Sequence, residues 1–174
     1  MARRSGGLAF GTDPKAAGEV TAAVRAATSL PVVIKLTPNT SDIGSIAKAV
    51  EEAGADILTV INTLRGIVID IPNRRPLIAN TVGGLSGPAI KPVAVCMVWQ
   101  VYEAVKIPII GCGGITTGLD AVEFLMAGAT AVQVGTASLS NPRGALNVLE
   151  GLQEFAQKEG VKKITDLIGV AHPR

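Results

Sequence analysis

One order of features occurs twice in this chain of 174 residues, and it constrains the fold more than any other part of the sequence. Each copy begins with proline and continues through an apolar strand, a loop and a helix that ends in Ala-Gly-Ala, and then enters a second strand. The two copies span residues 31–61 and 108–134. A helix that connects two neighbouring strands joins them in parallel. The repeat therefore predicts an α/β fold in which helices pack against a parallel sheet.

Turn and helix-capping signals predict the remaining elements. Thr12 or Asp13 can cap a first helix in which apolar residues such as Val20 and Val24 recur at helical spacing. The connection 64–87 lacks such periodicity and is predicted to be a long loop, which in a compact domain is usually functional or disordered. We expect parallel strands at 32–36, 57–61, 107–110 and 131–134, in that spatial order, with helices at about 14–27, 42–53, 88–105, 119–126, 142–158 and 161–172.

Composition excludes several classes of protein. Apolar residues make up 48% of the chain and charged residues 17%, which predicts a single folded domain over residues 1–174 with an irregular segment at 1–12. A net charge of +2 and an aromatic content of 3% are untypical of a nucleic-acid-binding surface. No apolar run approaches the ~20 residues of a membrane span and no signal peptide is recognised, so we expect a cytoplasmic protein.

The residues that could bind a metal or form a disulfide are few and lack the spacing for either. The chain contains two cysteines, Cys96 and Cys112, and one histidine, His172. So few cysteines are typical of a reduced, cytoplasmic setting, and we predict no metal site. We expect both cysteines to act as small buried hydrophobic side chains.

Two buried strands run directly into glycine, and their ends are the first candidates for a binding site. They lie within 107–115 and 131–136. Glycine lets the backbone approach a ligand closely, and neighbouring strand ends can present a rim of N–H groups to a phosphate. The alternative is that these glycines serve only tight turns. The last two strand ends of a (β/α)8 barrel commonly hold a phosphate, so the pattern favours a barrel, although an open sheet remains possible.

The chain is too short for a complete barrel. A closed (β/α)8 barrel has eight strands in about 250 residues, whereas the pattern here supplies four strands. The prediction is therefore a half-barrel of about four parallel strands with flanking helices. Its first and last strands, 32–36 and 131–134, would lack their barrel neighbours. Unpaired apolar edges favour pairing with another chain, so we expect a homo-oligomer.

Six motifs follow one another along the chain at a characteristic spacing. They read Gly6-Gly7-Leu8-Ala9-Phe10-Gly11-Thr12-Asp13-Pro14, Lys35-Leu36-Thr37-Pro38-Asn39, Ile61-Asn62-Thr63-Leu64, Gly83-Gly84-Leu85-Ser86-Gly87-Pro88-Ala89-Ile90-Lys91-Pro92, Gly113-Gly114 and Gly135-Thr136-Ala137. Together they resemble class 1 dihydroorotate dehydrogenase, from residue 6 to about residue 170. The segment through Ile69-Asp70 and Arg74-Arg75-Pro76 is most similar to the NAD-linked 1B type.

This resemblance implies an FMN-dependent oxidoreductase, built on a (β/α)8 barrel, that converts dihydroorotate to orotate in pyrimidine biosynthesis. It also implies a partner subunit that carries FAD and an iron–sulfur cluster and passes electrons to NAD. By the family pattern, Asn62 and Thr63 would bind the substrate. The pattern would place Gly113, Gly114, Gly135 and Thr136 at the FMN phosphate, the backbone of Ile61 and Gly87 along the flavin, and Lys35 beside its pyrimidine end.

The chemistry of two of these residues suits the implied roles. Lys35 ends an otherwise apolar strand, so its ammonium group would point into the site and stabilise negative charge on reduced flavin; the alternative is a lysine that extends to solvent. Asn62 offers a donor and an acceptor to the imide edge of a pyrimidine, although it could equally be a turn residue. A bulky side chain at Gly114 is predicted to enter the phosphate seat and weaken FMN binding.

The sequence departs from the family pattern at its beginning. The family has Asn-x-Ser-Cys-Pro-Asn just before Gly6-Gly7, and that cysteine is its catalytic base, whereas this chain reads Met1-Ala2-Arg3-Arg4-Ser5. We therefore predict no catalytic base here, and the chain looks like the carboxy-terminal half of the enzyme.

Three functions remain open after this comparison of motifs. The first is the catalytic-subunit sequence of a dihydroorotate dehydrogenase, in a truncated form that lacks the cysteine segment. The second is a half-barrel that binds FMN or another phosphate ligand without turnover. The third is a structural fragment that self-associates. Another flavin- or phosphate-binding barrel is disfavoured, because Asn62-Thr63 and the motif 83–92 occur together.

Overall fold

The computed structural model describes residues 10–173. Its elements mostly alternate between strands and helices. The exceptions are an excursion of four short strands within residues 64–85 and two successive helices after the last strand. In chain order they are α1 (Pro14–Ala27), β1 (Val33–Leu36), α2 (Ile43–Glu52), β2 (Ile57–Val60), β3 (Leu64–Gly66), β4 (Ile69–Asp70), β5 (Arg75–Pro76), β6 (Gly83–Leu85), a 3₁₀ turn (Pro88–Ile90), α3 (Lys91–Ala104), β7 (Ile109–Cys112), α4 (Gly118–Met126), β8 (Ala131–Gln133), α5 (Thr136–Ser140), α6 (Gly144–Lys158) and a second 3₁₀ turn (Ile164–Leu167).

The central sheet has four parallel strands in the order β1-β2-β7-β8, which confirms the predicted direction and spatial order. One row of the sheet runs from Lys35 through Thr59 and Ile110 to Ala131. The strands β1 and β8 are its open edges. The topology is therefore the one that three successive crossovers produce, through α2, α3 and α4.

The third strand of the sheet lies two residues later than predicted, at Ile109–Cys112 rather than 107–110. Pro108 has no N–H for the ladder, although its carbonyl accepts from Leu58 N at 3.0 Å. The strand continues through Gly111 because Phe124 of α4 packs directly on that glycine; a Cβ there would lie 2.4 Å from the phenyl ring. The sequence predicted that the strand ends before Gly111, but Gly111 is part of the strand.

Side-chain caps select the helix starts that the sequence left open. Asp13 caps α1 by accepting from Ala16 N at 2.7 Å, and Asp42 caps α2 by accepting from Ser45 N at 3.0 Å. Phe10 and Gly11 are helical, so the predicted irregular segment 1–12 is wrong at its end; residues 1–9, with the beginning of the first motif, lie outside the described residues.

The hydrophobic core lies between the sheet and its helices. Along β1 the side chains alternate between two faces. Ile34 and Leu36 pack into this core, whereas Val33 and Lys35 are exposed on the opposite face. That alternation shows that one face of the sheet is covered at this edge and the other is open. The fully buried side chains of the core include Ile43, Ile46, Val50, Leu58, Val60, Val98, Val101, Ile109 and Phe124.

The segment 64–87 is not the plain loop that its sequence predicts. It forms two small antiparallel sheets, in which β3 pairs with β6 and β4 pairs with β5. These strands are two or three residues long, too short for a periodic pattern, and their pairing joins residues distant in sequence, such as Leu64 and Leu85. Several apolar side chains here are exposed, among them Ile71 at 80%.

The remaining differences concern helices. In α1 the buried residues are Ala17 and Thr21, while Val20 and Val24 are each 43% exposed, so the recurrent apolar residues do not form its buried face. The short helix α5 was not predicted, and α6 begins two residues later than expected. The predicted terminal helix at 161–172 is only a 3₁₀ turn. Between residues 10 and 173, no helix is long and apolar enough to cross a membrane.

Candidate functional site

A cavity of about 150 Å³ opens at the carboxyl ends of the four parallel strands. Parallel strands bring these ends to one edge of the sheet, where α/β proteins bind ligands. Every residue that the sequence predicted for substrate or cofactor lines this single cavity. They are Lys35, Ile61, Asn62, Thr63, Gly87, Gly113, Gly114, Gly135 and Thr136.

Lys35 reaches the cavity from β1 and lies beside a thiol. Its Nζ is 3.7 Å from Cys112 Sγ, within the longer range of hydrogen bonds to sulfur. Cys112 is half-buried and lines the cavity, and Cys96 is exposed, so the expectation that both are buried hydrophobic residues is wrong. Ala94 and Val98 are on the buried face of α3, and Cys96 lies two residues from each of them. Cys96 is therefore on the opposite, exposed face of this helix. Cys112 ends β7 on the same face of the sheet as Lys35.

Asn62 and Thr63 follow β2, and a third polar residue holds their backbone. Asn39 Nδ2 donates to Thr63 O at 3.0 Å, and Asn39 Oδ1 accepts from Arg65 N at 2.9 Å. The Asn62 side chain is exposed, and its Oδ1 accepts from Thr63 N at 2.9 Å. Asn39 therefore sets the course of the chain after β2. Its place in the motif 35–39 was the only sequence signal for this role.

The glycine loop after β7 is crowded by the protein itself. Gly113 and Gly114 have φ angles of +138° and +77°, which side-chain-bearing residues rarely adopt. A Cβ on Gly114 would lie 2.8 Å from the backbone N of Lys91 and 2.9 Å from the carbonyl oxygen of Gly87. The sequence predicted that a side chain at Gly114 would enter a phosphate seat. That reason is wrong, because the side chain would first collide with Lys91.

The glycine after β8 is in the opposite situation. Gly135 has a φ of −105°, and a Cβ there would meet no heavy atom within 4 Å. Beside it, Thr136 Oγ1 donates to Ser86 Oγ at 3.0 Å, which joins the β8 loop to the end of the excursion. Ser86 lines the cavity and was not predicted as a site residue. The backbone at Gly135 faces open space, as a ligand-binding backbone must.

A charged cluster stands behind the crowded loop. Lys91 Nζ lies 2.8 Å from Asp120 Oδ1 and 2.6 Å from Glu123 Oε2. Burial alone would raise the pKa of Asp120, but hydrogen bonds from Lys91 and Thr116 outweigh burial and hold that pKa well below its usual value. Hydrogen bonds to Asp120 and Glu123 raise the pKa of Lys91. Lys91 and Asp120 are therefore both ionised at neutral pH.

The lining and size of the cavity limit the ligands that it can hold. Its volume is below the ~300–1,000 Å³ typical of small-molecule pockets, so the cavity encloses only part of a ligand of ordinary size. Within residues 10–173, no three histidine, cysteine, aspartate or glutamate side chains cluster as metal ligands do. Glycine backbone, hydroxyl groups, one amide and one ammonium are suited to an anionic or polar organic ligand.

Comparison with known proteins assigns the chain to a family. Residues 3–156 match the family model for dihydroorotate dehydrogenase. The catalytic subunit of dihydroorotate dehydrogenase B (NAD(+)) from Desulforamulus reducens is 54% identical over 169 residues, which are 97% of this chain and 56% of that protein. The corresponding subunit from Trichlorobacter lovleyi is 57% identical over 166 residues, 95% of this chain and 55% of that protein. The chain thus spans about half the length of the curated relatives it matches.

A solved structure agrees with this assignment. The crystal structure of DHODH from Eimeria tenella in complex with ferulenol matches with a TM-score of 0.80 and 26% identity, over 99% of this chain and 52% of that one. The likeness confirms the predicted fold class, a TIM-barrel architecture to which this chain contributes four parallel strands with flanking helices. The chain belongs to the dihydroorotate dehydrogenase family.

Proposed function

We propose that this chain is the carboxy-terminal half of the FMN-binding catalytic subunit of a type B dihydroorotate dehydrogenase. Such an enzyme oxidises dihydroorotate to orotate in pyrimidine biosynthesis. The observation that carries the proposal is that all nine residues implied by the family pattern line one cavity at the carboxyl ends of the strands. The two relatives named above are catalytic subunits of dihydroorotate dehydrogenase B (NAD(+)), which supports the same assignment.

The groups at one end of the cavity support FMN as the ligand, bound there by its phosphate. The open backbone at Gly135 can approach a phosphate without a side chain between them, and Thr136 adds a hydroxyl group. Gly113 and Gly114 bring a second stretch of backbone to the same cavity. Bound FMN would supply the acceptor for the hydride that leaves the substrate.

The polar side chains have distinct tasks in this proposal. The Lys35 ammonium group would stabilise negative charge near the flavin, and its position beside Cys112 keeps it on the open face of the sheet. Asn62 would bind the imide edge of the pyrimidine, with Thr63 beside it and Asn39 holding both through the Thr63 carbonyl. No residue is assigned as the catalytic base, because the family's cysteine motif does not occur in this sequence.

The test is a comparison of FMN binding with turnover. Purified chain should quench FMN fluorescence on binding, yet show negligible flavin reduction after anaerobic mixing with dihydroorotate. A positioned general base typically contributes about 10²–10⁴-fold to the rate, and the chain also has only half of the barrel. Absence of FMN binding would refute the cofactor assignment, and rapid bleaching would show that another residue supplies the base.

A second candidate is a half-barrel that binds FMN without any catalytic role. The lining of the cavity favours it, because the described residues that line it include no carboxylate or imidazole that could act as a base. Addition of the first half of a relative's barrel distinguishes it from the first candidate. The first half of the Desulforamulus reducens subunit, produced separately and mixed with this chain, should restore dihydroorotate-dependent bleaching if the chain is a catalytic half. Binding without restored bleaching would favour the second candidate.

We also propose a cytoplasmic protein with two kinds of protein partner. One is an electron-transfer subunit with FAD and an iron–sulfur cluster, as the resemblance to the type B enzyme implies. The other is a second copy of this chain, because β1 and β8 are open edges and Val33 is 47% exposed on the uncovered face. Sedimentation should show a species larger than 17.8 kDa, and a monomer at micromolar concentration would refute self-association.

A further inference from the structure

An ion pair outside the cavity connects the two segments that form its glycine-lined walls. One wall is the loop 113–116 after β7, and the other is the turn from Gly87 to Ile90 before α3. Lys91 begins α3 directly after that turn, and Asp120 lies in the first turn of α4 directly after the loop. Neither Lys91 nor Asp120 lines the cavity. Their contact therefore fixes the distance between its walls from behind.

Asp120 holds the end of the glycine loop with one carboxylate oxygen. Its Oδ2 accepts three hydrogen bonds, each 2.9 Å long, from Thr116 N, Thr116 Oγ1 and Thr117 N. The side chain of Asp120 is 12% exposed, so these bonds are largely shielded from water. Charge-assisted bonds of this kind are stronger than neutral ones. The loop is thereby tied to the start of α4.

Lys91 holds this loop in two ways. Its backbone packs against the middle of the loop, and its ammonium group binds Asp120. Gly114 packs so closely on Lys91 that a Cβ would lie 2.8 Å from both its N and its Cβ. The carbonyl oxygen of Gly87, which accepts from Ile90 N at 3.1 Å, borders the same point. The ion pair from Lys91 Nζ to Asp120 Oδ1, 2.8 Å long, closes this ring of contacts.

The charges of the cluster exclude a direct role as a phosphate ligand. One ammonium group faces the two carboxylates of Asp120 and Glu123, so the cluster has a net charge of −1. Lys91 has both of its closest ionic contacts satisfied and offers no surplus positive charge to an anion. Its contribution to binding must come from the shape that it gives to the loop.

We infer that Asp120 is a positioning residue that, with Lys91, holds the loop 113–117 in the shape that receives the phosphate of FMN. The inference rests on the proposed function for the identity of the ligand. It assigns Asp120 no contact with the cofactor. The effect of losing Asp120 must therefore fall on ligands that carry the phosphate and spare those that lack it.

The experiment compares two flavins and two variants. FMN and riboflavin, which lacks the phosphate, are titrated into wild type, Asp120→Asn and Glu123→Gln, with flavin fluorescence as the readout. Both substitutions remove one negative charge beside Lys91, but Glu123 is 47% exposed and touches Lys91 only through its Nζ. Outer partners that orient binding groups contribute about 10–100-fold to affinity at metal sites. We expect D120N to weaken FMN binding by about tenfold, with riboflavin affinity unchanged and E123Q like wild type.

A second readout needs no ligand. Amide hydrogen exchange across 113–117 should be faster in D120N than in wild type and unchanged in E123Q, because the N–H groups of Thr116 and Thr117 donate to Asp120 and not to Glu123. If D120N does not fold, Thr116→Val removes one of the three bonds to Asp120 Oδ2 and should give the same flavin discrimination with a smaller effect.

The outcomes separate the inference from the proposed function. Equal loss of FMN and riboflavin affinity in D120N, or faster exchange without a change in FMN affinity, would show a merely structural role and overturn the inference. Unchanged FMN affinity in D120N would also overturn it while leaving the proposed function intact. Failure of the wild-type chain to bind FMN would refute the proposed cofactor, and the inference with it.

Discussion

The two glycine loops at the cavity have similar sequences but need glycine for different physical reasons. After β7, Gly113 and Gly114 adopt positive φ angles, and protein atoms occupy the space where a Cβ would lie. After β8, Gly135 has an ordinary negative φ and open space beside it. The first loop therefore requires glycine for its own packing. At the second loop no protein atom excludes a Cβ, so a bound ligand is the remaining reason for glycine there.

This difference decides what a substitution in each loop would report. A side chain at Gly114 disturbs the contact with Lys91 before any ligand is present, so a loss of FMN binding there would be ambiguous. A methyl group at Gly135 meets no protein atom within 4 Å, so its effect on binding would come from the ligand. From their spacing in the sequence, the two loops were predicted to form one phosphate-binding rim. Substitutions in the two loops nevertheless have to be interpreted separately.

The largest expected effect is on stability, from Gly114→Ala. A left-handed backbone costs a side-chain-bearing residue roughly 1–3 kcal/mol, and an overpacked contact costs a similar amount. We therefore expect the free energy of unfolding to fall by about 2–6 kcal/mol, the sum of the two effects, measured by urea denaturation. A loss below about 1 kcal/mol would show that Lys91 and Gly87 move apart easily, and the two loops would then differ less than the structure indicates.

The matched control for this prediction is Gly160→Ala. Gly160 has a φ of +66° but nothing within 4 Å of its Cβ position, so it has the backbone strain without the collision. We expect a loss of about 1–2 kcal/mol, from the left-handed conformation alone. The excess loss in Gly114→Ala then measures the crowding against Lys91. An equal loss in both variants would mean that crowding contributes nothing.

The next effect is the pH dependence that Asp120 gives to the crowded loop. Hydrogen bonds from Lys91 and Thr116 outweigh burial and hold the pKa of Asp120 below its unfolded value of about 3.9. Its stabilising contribution is therefore present above that pH and is lost as the pH falls towards the lower folded pKa. Wild type should lose stability more steeply than Asp120→Asn between pH 5 and pH 2 in urea titrations.

At pH 7 the same substitution should lower the free energy of unfolding by about 2 kcal/mol, the scale of hydrogen bonds to a charged group. Glu123→Gln is the control, because Glu123 is 47% exposed and an exposed ion pair contributes only about 0–1 kcal/mol. Identical pH profiles for wild type and D120N would contradict the role given to Asp120 in holding the loop.

The smallest effect on stability is expected at the open loop. Gly135→Ala should lower the free energy of unfolding less than Gly114→Ala does, because its methyl group meets no protein atom within 4 Å. The same methyl group should weaken FMN binding in fluorescence titrations while leaving riboflavin affinity unchanged, since it stands where the phosphate would approach. If FMN affinity is unchanged as well, the phosphate does not lie at Gly135, and the two loops do not share a ligand.

The amino-acid sequence by itself determined the sheet and the set of residues at its carboxyl edge. The repeat at 31–61 and 108–134 predicts parallel strands, because a helix between two neighbouring strands is the usual crossover of a parallel pair. Parallel strands bring their carboxyl ends together, so residues that follow different strands, such as Lys35, Asn62 and Gly135, line one cavity. The sheet follows from local pattern and from a general property of parallel strands, whereas the choice of the site residues rested on the resemblance of the six motifs to a known family.

Tertiary structure alone decided the features that depend on distant contacts. The strands β3 and β6 pair residues that are more than ten positions apart, such as Leu64 and Leu85, and the partial exposure of Cys112 follows from which face of β7 it occupies. The need for glycine at 114 comes from Lys91, 23 positions earlier, and the role of Asp120 comes from the same contact. Local pattern carries no record of such contacts, because they exist only after the helices have packed on the sheet.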